Sequence, residues 1–586
     1  MVLLPSLVAL LLPILAKAST SLSTAEVVER RSIFGPLTST LGPVVDVGYA
    51  AYAGNATLPS LTFYGGIPYM RPPVGRLRFA PPQKLDETLN IFLTNDDVVD
   101  ARNWGPICIQ QPAVVGIGSE DCATLNIWVP SNATSKSKLP VYVYFVRLWA
   151  LVCVCIFSRT FFLSTEGGIT ITPRKASFPA NDWVARSNGG LIAIAVQYRL
   201  GLLGFLSGSA IRNNPTSGSN NGLLDQRAAL EWIQRNIVAF GGDPSKVTIG
   251  GESSGGGAVA LHLTAYGGEK RPPFRAAIIE SPGNDPFYTD DRTELCFRNV
   301  TKQVGCSSSS DVVGCLRKAT VGAIVSAVNN KPSSCKYLPV IDGKFIPGIT
   351  TKMFAAGKFS KVPILAGHTA QDGSIFVGRP DNVQTDANIV SAIKNRYPTL
   401  STATTDAMLV TYPPASSTTP WKTQWERAMY AYMESELGCW DYYIGNVSGQ
   451  PAYNYRWDAP DPNLIAARGA YVGAAHTSEL FYLYDGTNSG PSASVAQPVF
   501  SAFNASQDAL ARQAVGWWSS FAMTLNPNTR AVSGSPTWNP ASQGGFMAAN
   551  VNQNGGTAPS SAMQARTVDY ARRCAWWRSV ADDLRL

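Results

Sequence analysis

Lys246-Val247-Thr248-Ile249-Gly250-Gly251-Glu252-Ser253-Ser254-Gly255-Gly256-Gly257-Ala258-Val259 reads as a short apolar strand, a glycine-flanked bend and the small residues of a helix start. Within it, Gly251-Glu252-Ser253-Ser254-Gly255 is a G-x-S-x-G pattern. Alone the pattern is short. Between a strand and a helix it describes a tight turn that forces the serine into a strained backbone and exposes its Oγ at the C-terminal edge of a sheet. The flanking glycines keep side chains out of the bend. The helix that follows aims its N-terminal dipole at the same place, where the backbone N–H of Ser254 can meet a developing oxyanion. A phosphate-binding loop is excluded, because it needs a Lys-Ser/Thr pair where Ala258-Val259 stands.

Outward from this turn, strand-like and helix-like segments alternate. Val141–Phe145, Gly190–Val196, Val247–Ile249 and Ala276–Ile279 read as buried strands. Leu224–Phe240 reads as an amphipathic helix with Leu230, Ile233, Ile237 and Phe240 on one face. Such alternation predicts an α/β fold, a large and mostly parallel sheet flanked by helices. The chain has 586 residues, 45% of them hydrophobic, enough to fill a large core in one domain. We find no internal repeat and no long linker.

A serine nucleophile needs a base, and the chain has only three histidines, His262, His368 and His476. In this setting the acid and then the histidine follow the serine in chain order. His262 lies on the helix leaving the bend and reads as a packed helix residue. His368 leaves little chain for an acid. His476, in the small-residue stretch Gly473-Ala474-Ala475-His476-Thr477-Ser478, leaves room for one and is the expected base. Many carboxylates lie between Ser253 and His476, so position alone does not decide the acid. Asp372, in a loop after the strand-like run Val362–Gly367, is the leading candidate.

The N-terminus carries an apolar run from Val2 to Leu15 followed by Ala16-Lys17-Ala18, a small-x-small cleavage pattern. The run is shorter than the ~20 residues of a spanning helix, and Pro5 and Pro13 interrupt it, so residues 1–18 are expected to be a signal peptide rather than a membrane anchor. Residues 19–45 are expected to be a loose extension, and 46–586 one catalytic domain. Five Asn-x-Ser/Thr sequons (Asn55, Asn132, Asn299, Asn446, Asn504) and ten cysteines fit a secreted, disulfide-bonded glycoprotein. The net charge of +8, from 48 basic and 40 acidic residues, is weak over this length, and no basic run or aromatic-interleaved stripe points to nucleic acid. No C-x-x-C pair or His/Cys cluster suggests a metal site, and no cofactor is expected.

The chain resembles the type-B carboxylesterase family, which includes cholinesterases and some lipases. The resemblance is carried by Phe63–Tyr69 with Pro72–Phe79, Ser119–Asn126, Tyr198–Phe205, Asn221–Gln226 and Phe240–Pro244, in order, and by the Ser253 turn. It implies an α/β-hydrolase fold and a carboxylic ester substrate, small or lipid-like. It supports His476 as base and Asp372 as acid, a position where the family usually has glutamate. It also implies disulfides Cys108–Cys122, Cys306–Cys315 and Cys439–Cys574, leaving Cys296 and Cys335 to pair or stay free. The family's lipases carry a long lid between the first two cysteines. Here that loop is short, which suggests an esterase without a large lid.

One stretch departs from the family pattern. The remaining oxyanion donors are expected in a glycine loop right after the strand ending at Phe145. Here residues 146–166, mostly apolar, come first, and only then Gly167-Gly168. About twenty residues is far longer than the usual loop of this kind, and Arg159 breaks the run below membrane-spanning length. The expectation is a retained in-frame intron in the gene model, with Gly167 and Gly168 as the displaced donors. If the segment is present in the protein, the competing reading is a catalytically impaired or non-catalytic recognition protein of the same family.

Overall fold

A strand buried on both faces shows a near-continuous apolar run, and Val141–Phe145 and Ile192–Val196 are fully buried for that reason. A computed structural model describes residues 36–90, 92–110, 118–145, 150–151, 167–168, 180–283, 285–332, 335–484, 486 and 502–586. The signal-peptide reading of residues 1–18 lies outside them.

The main sheet has ten strands. They are β1 (Leu61–Pro68), β2 (Thr124–Pro130), β3 (Leu139–Phe145), β4 (Ile192–Val196), β5 (Gly242–Glu252), β6 (Ala276–Glu280), β7 (Ile364–Thr369), β8 (Ala452–Trp457), β9 (Phe546–Ala549) and β10 (Ala562–Gln564). Their spatial order is β10-β9-β8-β7-β6-β5-β3-β4-β2-β1. Neighbours from β4 to β9 are parallel, while β1, β2 and β10 add antiparallel edges. This is the mostly parallel, helix-flanked sheet of the α/β-hydrolase fold.

Four helices matter for the site: α1 (Asn221–Asn236), α2 (Ser254–Thr264), α3 (Ser478–Leu483) and α4 (Ala505–Thr524). The predicted helix 224–240 is α1 followed by a 3₁₀ turn over Ile237–Phe240. Leu230, Ile233, Ile237 and Phe240 join one hydrophobic core, while Trp517, Trp518 and Phe521 of α4 join another. The chain passes from β3 to β4 on one side, then crosses back to β5 on the other. Open α/β sheets bind ligands at such a reversal, in the crevice beyond the strand C-termini. Ser253 follows β5 there.

The blocks that carry the family resemblance hold the sheet's flank. Arg199 donates Nε and Nη2 to Asp225 at 2.7 and 2.6 Å and Nη1 to the Ala80 carbonyl at 2.7 Å. Arg78 clasps Glu120 in the same forked way. Both pairs are buried, so each charge depends on its partner. The extension read as loose through residue 45 ends earlier. Val44–Asp46 is a strand paired with Ala51–Ala53, which in turn pairs with Val98–Asp100. A three-residue strand is too short to show a period in the sequence.

Candidate active site

Ser253 sits between β5 and α2 with φ 59° and ψ −122°, a strained conformation for a non-glycine residue. The bend is this tight only because Gly251 lacks a side chain. A Cβ there would stand 2.5 Å from the Gly255 carbonyl carbon. The strain is held by the sheet, since the Ser253 N–H donates to the Glu280 carbonyl at 2.9 Å and its own carbonyl accepts from Gly257 at 2.9 Å and Gly283 at 2.8 Å. Ser254 is the first residue of α2, so its N–H belongs to the unpaired donors of a helix start.

The three residues expected to act together do meet. Ser253 Oγ lies 2.8 Å from His476 Nε2. His476 Nδ1 lies 2.5 Å from Asp372 Oδ1. All three side chains are buried, with Ser253 the most exposed at 6%. Asp372 Oδ2 accepts from Ser281 Oγ at 2.7 Å and from the Thr369 N–H at 3.0 Å. Burial alone would raise the Asp372 carboxyl. The charge and hydrogen bond of His476, helped by His368 and Ser281, outweigh burial and hold it below its ordinary value. The ring of Phe376 meets the His476 ring edge-on at 5.0 Å, an apolar wall beside the imidazole.

Aspartate is one methylene shorter than glutamate, so its loop must lie close to the histidine loop. Gln371 makes the closure. Its N–H donates to the Ala474 carbonyl at 3.0 Å, and its Oε1 accepts from the Ala474 N–H at 2.8 Å. Gly473, with φ 57°, allows the approach, because a Cβ there would stand 2.5 Å from Gln371 Oε1.

The other histidines lie elsewhere. His262 is buried on α2 with Nε2 2.9 Å from Gln226 Oε1, and burial pushes its imidazole down to about 3. This is the packed helix role expected of it. His368 pairs through Nδ1 with Asp441 at 2.8 Å, behind the Asp372 loop.

Gly167 and Gly168 form a two-residue strand antiparallel to Ala150–Leu151, so the glycines pair with part of the atypical segment itself. Residues 146–149, 152–166 and 169–179 lie outside the described residues. The structure bridges all four cysteine pairs, Cys108–Cys122, Cys306–Cys315, Cys439–Cys574 and also Cys296–Cys335. Among the described residues, no group of three or more His, Cys, Asp or Glu could hold a metal ion, and no single helix is long and apolar enough to cross a membrane.

Sequence reading missed a set of buried acids around the triad. Glu252 Oε1 lies 3.2 Å from His476 Nε2. Glu280 accepts from Trp518 Nε1 at 2.7 Å, and Glu479 accepts from Tyr455 OH at 3.3 Å. The one sequence signal was that Glu252 and Glu479 flank the two motif residues along the chain.

The chain is similar to known proteins along most of its length. The model of the carboxylesterase family matches residues 43–147 and 164–577, passing over 148–163 inside the atypical segment. The carboxylesterase patB of Penicillium expansum is 28% identical over 609 residues, covering 92% of this chain and 96% of that protein. The secreted triacylglycerol lipase LIP1 of Gibberella zeae is 32% identical over 461 residues, covering 72% and 75% respectively. The crystal structure of Aspergillus niger EstA superposes with a TM-score of 0.77 at 28% identity, covering 94% of this chain and all of that one. The chain belongs to the carboxylesterase family and is a carboxylic ester hydrolase.

Proposed function

We propose that the chain cleaves carboxylic esters in two steps through an acyl-enzyme on Ser253. The observation that carries this reading is the unbroken hydrogen-bonded line from Ser253 Oγ through His476 to Asp372 at a strained turn. Ser253 Oγ attacks the ester carbonyl carbon while His476 Nε2 takes its proton. Asp372 holds Nδ1–H, fixing the tautomer in which Nε2 is free to accept, and stabilises the imidazolium that forms. The imidazolium returns its proton to the leaving alcohol. Water, deprotonated by His476, then releases the acid. The Ser254 N–H supplies one oxyanion donor, and Gly167 and Gly168 are assigned as the others. Each such donor contributes about 10²–10³ in rate.

The substrates are small-molecule or lipid-like esters. The short Cys108–Cys122 loop favours an esterase without a large lid, although relatives are named both lipases and carboxylesterases. Four disulfides, the N-terminal apolar run and the sequons support an exported glycoprotein with residues 1–18 as signal peptide. A panel of p-nitrophenyl esters from acetate to palmitate, run with and without Ser253→Ala, tests both parts. Hydrolysis abolished by the substitution is expected, with no jump in activity above the substrate's micelle-forming concentration. Undiminished hydrolysis in Ser253→Ala overturns the triad, and a sharp interfacial jump overturns the lidless reading.

A second reading rests on one observation, the break in the family match at 148–163. If residues 146–166 are present in the mature protein, they separate β3 from Gly167-Gly168, and the chain is catalytically impaired or serves recognition. Transcript sequencing decides whether the segment is a retained intron.

A further inference from the structure

Ser254 carries a polar group that the mechanism above does not use. Its hydroxyl follows the nucleophile directly in the chain, on the first residue of α2. The residue is 4% exposed, yet Oγ has no hydrogen-bond partner among the described residues. A buried hydroxyl left unpaired weakens a fold, and alanine has the higher helix propensity. Such a group, kept beside a nucleophile, is explained by function rather than by stability.

The first turn of α2 fixes the side on which this hydroxyl lies. Gly255 packs on β5, since a Cβ on Gly251 would stand 2.5 Å from the Gly255 carbonyl carbon. Gly256 faces β6, since a Cβ there would stand 2.7 Å from the Glu280 carbonyl oxygen. Successive helix residues turn by about 100°, so Ser254 lies on the opposite flank of Gly255 from Gly256. The sheet order here is β6-β5-β3, and that flank is the β3 side, where Phe145 ends its strand as the register partner of Gly251. Helix side chains also tilt toward the N-terminus, here toward the crevice beyond the strand ends. The acid and base come from the other side. Asp372 follows β7, and Ser281, which holds it, follows β6. An ester attacked by Ser253 presents its leaving group to His476, so its carbonyl oxygen turns away from the base, toward the β3 side. A gauche χ1 sets a serine Oγ beside the residue's own nitrogen, so the O–H and N–H of Ser254 can converge on that oxygen.

We propose that the Ser254 hydroxyl is a catalytic donor of the ester-cleaving site, giving the carbonyl oxygen of the attacked ester a hydrogen bond beside the one from its own backbone N–H. The inference rests on the assignment of Ser253, His476 and Asp372 as the triad. As Ser253 Oγ bonds to the carbonyl carbon, the π pair of C=O moves onto the oxygen, and the Ser254 O–H and N–H meet the negative charge. When the leaving alcohol departs with the proton from His476, that pair returns and C=O forms again. The Ser254 hydroxyl keeps its own proton throughout. A donor that finds its acceptor only as charge develops favours the transition state over the ground state, which lowers the barrier to the chemical step.

The test compares the full chain with Ser254→Ala, which keeps the backbone N–H and removes only the hydroxyl. Steady-state hydrolysis of p-nitrophenyl butyrate is measured with inhibition by propyl trifluoromethyl ketone, whose adduct on Ser253 carries the same oxyanion. Fluorophosphonate labelling of Ser253 and differential scanning fluorimetry run in parallel. Ser254→Ala is expected to lower kcat by at least about ten-fold with KM little changed, and to weaken the ketone's Ki by a similar factor. Its melting temperature should not fall, because the group removed is an unpaired buried hydroxyl. A smaller loss, a loss carried by KM, a Ki that does not move or a lowered melting temperature overturns the inference alone while Ser253 still labels. A protein that neither labels nor hydrolyses overturns the triad assignment, and this inference with it.

Discussion

Asp372→Asn is predicted to cost about 10⁴ in kcat/KM, through geometry rather than charge alone. Asp372 uses both oxygens as acceptors. Oδ1 takes the His476 Nδ1–H, while Oδ2 takes the Thr369 backbone N–H and the Ser281 hydroxyl. Asparagine has one acceptor oxygen. The Thr369 N–H is fixed by the backbone and can only donate, so it claims that oxygen and turns the new NH₂ toward His476. Nδ1 must then accept, which places the ring proton on Nε2, facing Ser253 Oγ. The imidazole keeps its place but holds the wrong tautomer to act as base. A loss of this size, about 5 kcal/mol of transition-state stabilisation, is the scale seen when a buried triad acid becomes its amide. The assay is kcat/KM for p-nitrophenyl acetate at pH 7.5, with circular dichroism to establish that the variant is folded. A folded variant that loses less than about ten-fold would refute the tautomer argument and remove Asp372 as the acid.

Ser281→Ala removes a buried hydrogen bond to an ionised carboxylate, a contact of about 1.5–3 kcal/mol, and should lower kcat at least ten-fold with little change in KM in steady-state assays. Asp225→Asn leaves the buried Arg199 guanidinium short of its partner and should cost about 3–5 kcal/mol in urea unfolding, with activity per folded molecule retained. Glu280→Gln should raise the melting temperature relative to the unsubstituted protein increasingly from pH 5 to pH 8. The folded carboxyl is pushed up, so its stabilising contribution is complete below the ordinary glutamate value and is lost as pH rises toward about 8; differential scanning fluorimetry across that window reads it. Deleting residues 146–166 should raise ester hydrolysis by about 10² or more by returning glycine donors to the oxyanion position, and equal or lower activity in a folded deletion variant counts against that placement.

The parts of the site carried by contiguous residues are legible from the amino-acid sequence alone. The Ser253 turn is one unbroken motif, and its strand, bend and helix need only neighbouring residues. His476 follows from scarcity, because only three histidines exist and chain order disfavours two. Asp372 is less legible: its loop after the strand-like run Val362–Gly367 makes it the leading candidate among many carboxylates, and the family resemblance adds the remaining support. What stays hidden depends on register and closure. Glu280 lies just past the apolar run Ala276–Ile279 read as a strand, and only the β5–β6 pairing makes it the register partner of Glu252. Ser281 looks like a loop serine until β6 and β7 lie side by side and bring Asp372 to its hydroxyl. Gln371, which stitches the acid loop to the histidine loop, carries no sequence signal of its own. The helix starting at Asn221 begins ahead of its apolar period, because Asn221 is anchored by polar bonds to the Phe79 and Gly218 carbonyls.

The most direct measurement is an acid quench of the protein during turnover of p-nitrophenyl acetate, followed by peptide mass spectrometry. Covalent catalysis at the β5–α2 turn predicts one acetyl group on the peptide containing Ser253, appearing in a burst and absent after Ser253→Ala. Steady ester turnover with no acyl group on that peptide, or with the group on another residue, would contradict it.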